Sequence, residues 1–382
     1  MKYILLLTSM FIFGCSKSAI DVFLNSQSNQ TLTPMIASGF DGSHTCSLDS
    51  TGILKCWGLN SNGQLGNGTI VDSLSPIVVD SGISYKKVAV GDAATCGITT
   101  SGVLKCWGSN GSGELGNGTI IDSLSPIIID AGVSYSEISM GNSHSCGITS
   151  TNILKCWGTN NSGQIGDGTQ VDSLVPVVSD SGVSYSRIDL GIGHTCGITT
   201  GDVLKCWGYG GDGQVGDVAQ SNSYPTPTVI DSGVSYKRIS LGESQSCGIT
   251  TAGVLKCWGY NGDGAIGDGT IITRYTPAVS NSGTNFSEIA LGAYHTCGVT
   301  TAGVLKCWGY NNQGRLGDGT INSSLIGVII AAGTMYSQVS LGEKHSCGIQ
   351  SDGAIKCWGG NNSGQLGDGT SIDHTTPALV VY

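Results

Sequence analysis

Fourteen of the 15 cysteines fall into seven pairs with the spacing C-x9-C, and a histidine stands two places before the first cysteine in five of the seven. Cysteine and histidine together could hold a metal, and cysteine alone could close a bridge. Structural zinc sites take four ligands in CxxC-like spacing, whereas each pair here offers two ligands set far apart. No metal or other cofactor is therefore expected. In "TCGITTSGVLKC" (95–106), a hairpin register that places Cys96 opposite Cys106 also places Ile98 opposite Leu104. Directly opposed Cβ atoms lie about 4.5–5.5 Å apart, close enough to bridge after a small adjustment. The expectation is seven disulfides: Cys46–Cys56, Cys96–Cys106, Cys146–Cys156, Cys196–Cys206, Cys247–Cys257, Cys297–Cys307 and Cys347–Cys357. Such pairing belongs to an oxidising compartment.

The remaining reactive side chains follow the same repeat. His44, His144, His194, His295 and His345 occupy one position, which Ala94 and Gln245 take in the other two copies. A catalytic group is normally placed once, so these histidines read as hydrogen-bonding scaffold. A lysine precedes every second cysteine, from Lys55 to Lys356, and reads as a side chain lying along the scaffold or pairing with a loop carboxylate. Asp167, Asp217, Asp268, Asp318 and Asp368 sit in Gly-rich loops of the "GDGT" kind, where turn chemistry explains them without calcium. No nucleophile elbow, HExxH or phosphate-binding loop occurs, and the chain is not expected to be an enzyme.

What positions these residues is a unit of about fifty residues. Read from Pro126, one unit holds four strand-like runs ("PIIID", "SYSEISMG", "SCGITS", "ILKCWG") separated by Gly/Asn/Asp-rich turns. No run has helical periodicity. Four short antiparallel strands per unit, repeated seven times, imply an all-β, seven-bladed propeller over residues 34–382. Trp107 and its equivalents are placed to wedge between blades. The first unit begins at "MIASGFDGSHTC" with no preceding strand, and the last is followed by "TPALVVY" (376–382). That arrangement predicts a ring closed by the C-terminal strand joining the N-terminal blade.

The N-terminus reads as an export signal over residues 1–14: Lys2, then a short apolar run too short to span a membrane. "IFGC" resembles a bacterial lipobox, which makes Cys15, the one unpaired cysteine, the lipid-bearing first residue of the mature chain. Residues 15–33 read as a flexible polar tether. The reading is a membrane-anchored lipoprotein, periplasmic or at the cell surface, touching the membrane only through its lipid. Ser16 favours the outer membrane if the cell has two. A net charge of −10 argues against nucleic acid as a partner.

The recurring text "GxxHTCGITTxGxLKCWGxNxxGQLGDGT" resembles the regulator of chromosome condensation repeat, from Ile36 to Tyr382. The likeness is closest at 156–169 and 357–370 and weakest at "CWGYGGDGQVGDVAQSNSYPTP" (206–227). It implies a seven-bladed propeller. The family's founder is a nuclear exchange factor for a small GTPase, a role that the paired cysteines and export signal oppose. Exported bacterial propellers similar to this scaffold inhibit β-lactamases with one face of the ring. Function should then lie where the copies differ. After each "CWG" the residues run Leu59, Ser109, Thr159, Tyr209, Tyr260, Tyr310 and Gly360. Tyr294 adds a fourth tyrosine from a neighbouring loop, and Asp212 and Asp263 follow the first two. This set is the candidate site for a protein or glycan partner, with Thr159 outside it. A monomeric binding module is expected; a secreted enzyme inhibitor is the alternative, with a lyase-like enzyme or exchange factor less favoured.

Overall fold

A computed structural model describes residues 32–39 and 42–382; the export signal, Cys15 and most of the tether lie outside the described residues. Seven four-stranded antiparallel sheets surround a central channel. The first contains β1 (Met35–Ser38), β2 (His44–Leu48), β3 (Leu54–Gly58) and β4 (Ser73–Val78), in that spatial order from the channel outwards. The second contains β5 (Tyr85–Val90), β6 (Ala94–Thr99), β7 (Leu104–Gly108) and β8 (Ser123–Ile129). The others are β9–β12 (135–178), β13–β16 (185–229), β17–β20 (236–279), β21–β24 (286–329) and β25–β28 (336–379).

Every sheet is built from four consecutive strands. The expected mixed blade is therefore corrected: β28 (His374–Leu379) pairs with β27 (Ile355–Gly359) inside the seventh blade, not with the first. The physical reason is one of phase. A run such as "SLSPIII" (123–129) pairs with the cysteine strand before it, Cys106 opposite Ile127, so it ends one blade rather than opening the next. The first blade consequently lacks nothing.

Side chains shut the ring instead of a shared sheet. Trp57 of the first blade packs into the seventh blade's core with Cys347, Ile349 and Leu366. Its Nε1 donates to Gln365 O at 2.9 Å, as Trp107 Nε1 donates to Gln64 O at 3.0 Å between ordinary neighbours. Gln338 Oε1 and Ser340 Oγ accept the Ile36 and Ser38 amides, and Tyr382 reaches back to Ser47 at 3.2 Å and lies under Lys55. Burying one indole per joint removes about 150–250 Å² from water, which gives each joint its main cohesion.

Within each blade the hairpin register is the expected one, Cys96 facing Cys106 and Ile98 facing Leu104. All seven disulfides form between the predicted partners. The glycine that follows each tryptophan, such as Gly108 (φ 102°), turns the chain where a Cβ would strike the Ala93 carbonyl.

The passage from one blade to the next carries a polar clamp. Asp80, in the left-handed region (φ 52°), accepts from Tyr85 Oη and Lys105 Nζ, each at 2.6 Å. Asp130, Asp180 and Asp231 repeat this with Tyr135 and Lys155, Tyr185 and Lys205, and Tyr236 and Lys256. Asn281 replaces the aspartate before the sixth blade, and there Phe286 replaces the tyrosine, so the hydroxyl and its acceptor are lost together. Asp180→Ala should cost about 1–2 kcal/mol, discounted for a half-buried lysine. Added to Tyr185→Phe, it should cost less than the two single changes summed. Chemical denaturation of the three variants checks this; strict additivity would dissolve the clamp.

Candidate functional site on the loop face

Antiparallel succession sorts the connections onto two faces. Those joining first to second strands and third to fourth strands share one, here the loop face. The cysteine hairpins and the inter-blade passages share the other, the hairpin face. All six candidate residues, Tyr209, Tyr260, Tyr294, Tyr310, Asp212 and Asp263, belong to the loop face.

The structure brings part of the set together. Tyr294 and Tyr310 meet edge-to-face with ring centroids 6.3 Å apart. Arg315, which sequence reading missed, lies with its guanidinium 5.0 Å from the Tyr310 ring centre. It donates to Glu343 O at 2.8 Å and to Asn312 O at 3.1 Å. Burial pulls the Arg315 pKa down, against the opposing pull of Glu343, the two tyrosines and Asp263. Burial likewise raises the Asp263 carboxyl, with Arg315 opposing. The signal for Arg315 was legible: its repeat position otherwise holds Gln64, Glu114, Gln164, Gln214, Ala265 and Gln365. One cation in that column is the exception.

Tyr209 and Tyr260 stand on the next blades round and remain 36% and 40% exposed. Each ring folds back over a glycine of its own loop, Gly211 and Gly262, where an added methyl would strike the tyrosine hydroxyl. Tyr209 lines a cleft of about 390 Å³ with Thr159, Ile192 and Glu243. Thr159 thus borders the tyrosine set rather than lying apart from it. Asp212 accepts from Ser244 Oγ at 3.3 Å.

The histidines are scaffold. All five are fully buried, and each Nε2 meets a hydroxyl on the next blade: Thr95, Thr195, Ser246, Ser346 and, across the seam, Thr45, at 2.8–2.9 Å. Each hydroxyl in turn donates to a loop carbonyl, as Thr95 does to Gln64 O, so the imidazole Nε2 carries a proton and donates, while full burial keeps the ring neutral. Among the described residues no group of three or more His, Cys, Asp or Glu is placed to hold a metal.

Charge separates the two faces. The loop face carries fifteen of the described carboxylates and only three cations, Arg274, Arg315 and Lys344. The hairpin face carries twelve cations and nine carboxylates. One carboxylate, Asp189, lies on the channel wall, held by Ser139 Oγ and the Leu241 amide; burial lifts its pKa to about 6.

A closed ring of seven disulfide-stapled, four-stranded blades defines a propeller whose working surfaces are loops on a rigid frame. The family pattern described as regulator of chromosome condensation (RCC1) repeat matches residues 36–64, 85–114, 135–164, 286–315 and 336–365, and a second of the same description matches 52–98. The chain belongs to this repeat family. No match falls on 165–285, which includes the loops of Tyr209 and Tyr260. The fold is similar to human WBSCR16 (20% identity, TM-score 0.78, 86% of this chain and 93% of that one). It is also similar to Prp20p of Saccharomyces cerevisiae (19%, 0.75, 86% and 86%) and to the ectodomain of the Physcomitrella patens receptor kinase CR4 (18%, 0.56, 85% and 73%). No curated protein sequence matches the chain.

Proposed function

We propose that this protein is an exported, lipid-anchored binding module that recognises a protein partner through its loop face and catalyses no reaction. The observation that carries the reading is the loop face itself: part-exposed tyrosines around a buried arginine, on the strongly acidic side of a rigid ring. Tyrosine gives large contact area for little rotamer entropy, and the surrounding carboxylates select a basic partner surface. Seven disulfides fit an oxidising compartment. Prp20p, a structural relative, is described with binding to Gsp1p and histones, which supports a binding role for such a ring. The lipobox-like "IFGC" and the unpaired Cys15 support the anchor.

The test is affinity capture with the mature chain, followed by affinity measurement on variants. Tyr260→Ala should weaken the captured partner by about 2 kcal/mol, roughly 30-fold, as a truncated hot spot does. Leu59→Ala, at the same loop position three blades away, should change affinity little. Equal small effects at both positions would place the site elsewhere. A collapse in melting temperature for Tyr260→Ala would make the ring a packing residue.

A further inference from the structure

Of the 17 cations in the sequence, seven are the repeat lysines of the cysteine strands and three lie on the loop face. Two precede the described residues. The other five, Lys86, Lys87, Arg187, Lys237 and Arg238, all occupy the second or third position of an inner strand, where the channel opens on the hairpin face. Lys87 pairs with Glu137 at 3.0 Å and Arg238 with Glu288, and Glu288 also feels Arg187 and Lys87. Lys86 and Lys237 make no ion pair among the described residues. No repeat rule explains the cluster, because the same positions hold Ser136, Ser186, Ser287, Ser337 and Gln338 elsewhere.

A second observation falls in the same place. Leu32, Thr33, Pro34 and Met35 line the mouth cavity with Lys86, Lys87 and Arg238, and the Leu32 amide donates to Ser50 O in a hairpin. The chain before Leu32 therefore joins the ring beside the cations. Ile53, Ile153 and Met335 stand exposed on that face, at 42%, 43% and 54%.

We propose that the hairpin face docks on an anionic lipid surface, with the mouth cations against headgroup phosphates and the tyrosine-bearing face turned outward. The charge supports this occupant: the hairpin face is net positive in a protein of net charge −10, and the acidic face would be repelled by the same surface. Each cation near such a surface strengthens binding by about fivefold. The proposal rests on the charge pattern and the point of chain departure, not on lipidation of Cys15.

The experiment places the mature chain on vesicles of phosphatidylcholine alone or mixed with phosphatidylglycerol. A membrane-impermeant acylating reagent then marks exposed amines, and peptide mass spectrometry reads them. Lys86, Lys87 and Lys237 should be labelled about fivefold less on the anionic vesicles, with labelling restored by high salt. Lys344, on the loop face, should be labelled equally on both. Equal labelling of the mouth lysines on both vesicles, or protection of Lys344, overturns the proposal. The mass of the N-terminal peptide reports separately whether Cys15 carries lipid. If it does not, sedimentation of the soluble chain with anionic vesicles becomes the readout. That binding should fall at least tenfold in the Lys86→Gln/Arg187→Gln/Lys237→Gln variant, and unchanged binding again overturns docking.

Discussion

Acidification from pH 7.5 to 5 should lower the melting temperature by roughly 10–15 °C. The cause is the ring of buried histidines. His44, His144, His194 and His345 have pKa values pushed to about 3, chiefly by burial, and His295 is also well below its ordinary value. In the unfolded chain each titrates near 6.5. Between these values the unfolded state binds more protons, so stability falls as pH falls through that window. At pH 5 the loss is about 2 kcal/mol for each of the four histidines near 3, or about 8 kcal/mol together, with His295 adding in the same direction, within the usual range of whole-domain stability. Asp189 works the other way: raised to about 6, it takes up a proton in the folded state first and offsets part of the loss. Scanning calorimetry across pH 7.5 to 4 checks the sum. His144→Gln, the substitution Gln245 already makes in the fifth blade, should flatten the profile by about one histidine's share. A melting temperature that does not move between pH 7.5 and 5 would refute the account.

The second large effect concerns the bridges. Each closes a short loop and contributes about 2–3 kcal/mol in the chain-entropy view, so seven together exceed the net stability of most domains. Chain denatured in reductant should not regain its fold until oxidant is supplied, as followed by tryptophan fluorescence. The folded protein should nevertheless resist reductant, because all fourteen paired cysteines are at most 1% exposed. Mass analysis after thiol alkylation should find no modified cysteine until the ring is unfolded. Recovery of native fluorescence in reductant, or rapid alkylation of the native protein, would contradict these expectations.

How far the sequence reveals this molecule depends on the range of the interaction. Hairpin register is local, and the even spacing of Cys96, Ile98, Leu104 and Cys106 settles it without reference to the rest of the chain. Blade boundaries are not local. "SLSPIII" is equally readable as the end of one unit or the start of the next, and only its pairing with the Cys106 strand decides. The clamps were half visible: the lysine was expected to lie along the scaffold or pair with a loop carboxylate, but that carboxylate, Asp80, follows one blade and ties Tyr85 and Lys105 of the next. The candidate tyrosines share one face, while Arg315 among them escaped notice because its packing depends on the Glu343 carbonyl of another loop as well as on Tyr310 of its own.

The seam between the seventh and first blades has a consequence for how such chains change length. Since no strand crosses it, every joint in the ring is made by equivalent groups: an indole, a hydroxyl and an inner-strand edge. A segment of about fifty residues can then be inserted or excised as a complete cassette without re-pairing any strand. The chain could equally begin at any passage between blades. Propellers whose last sheet is woven from both termini lack this freedom, because there one position in the ring is topologically unlike the rest. Here the chain ends are interchangeable with any other gap between blades.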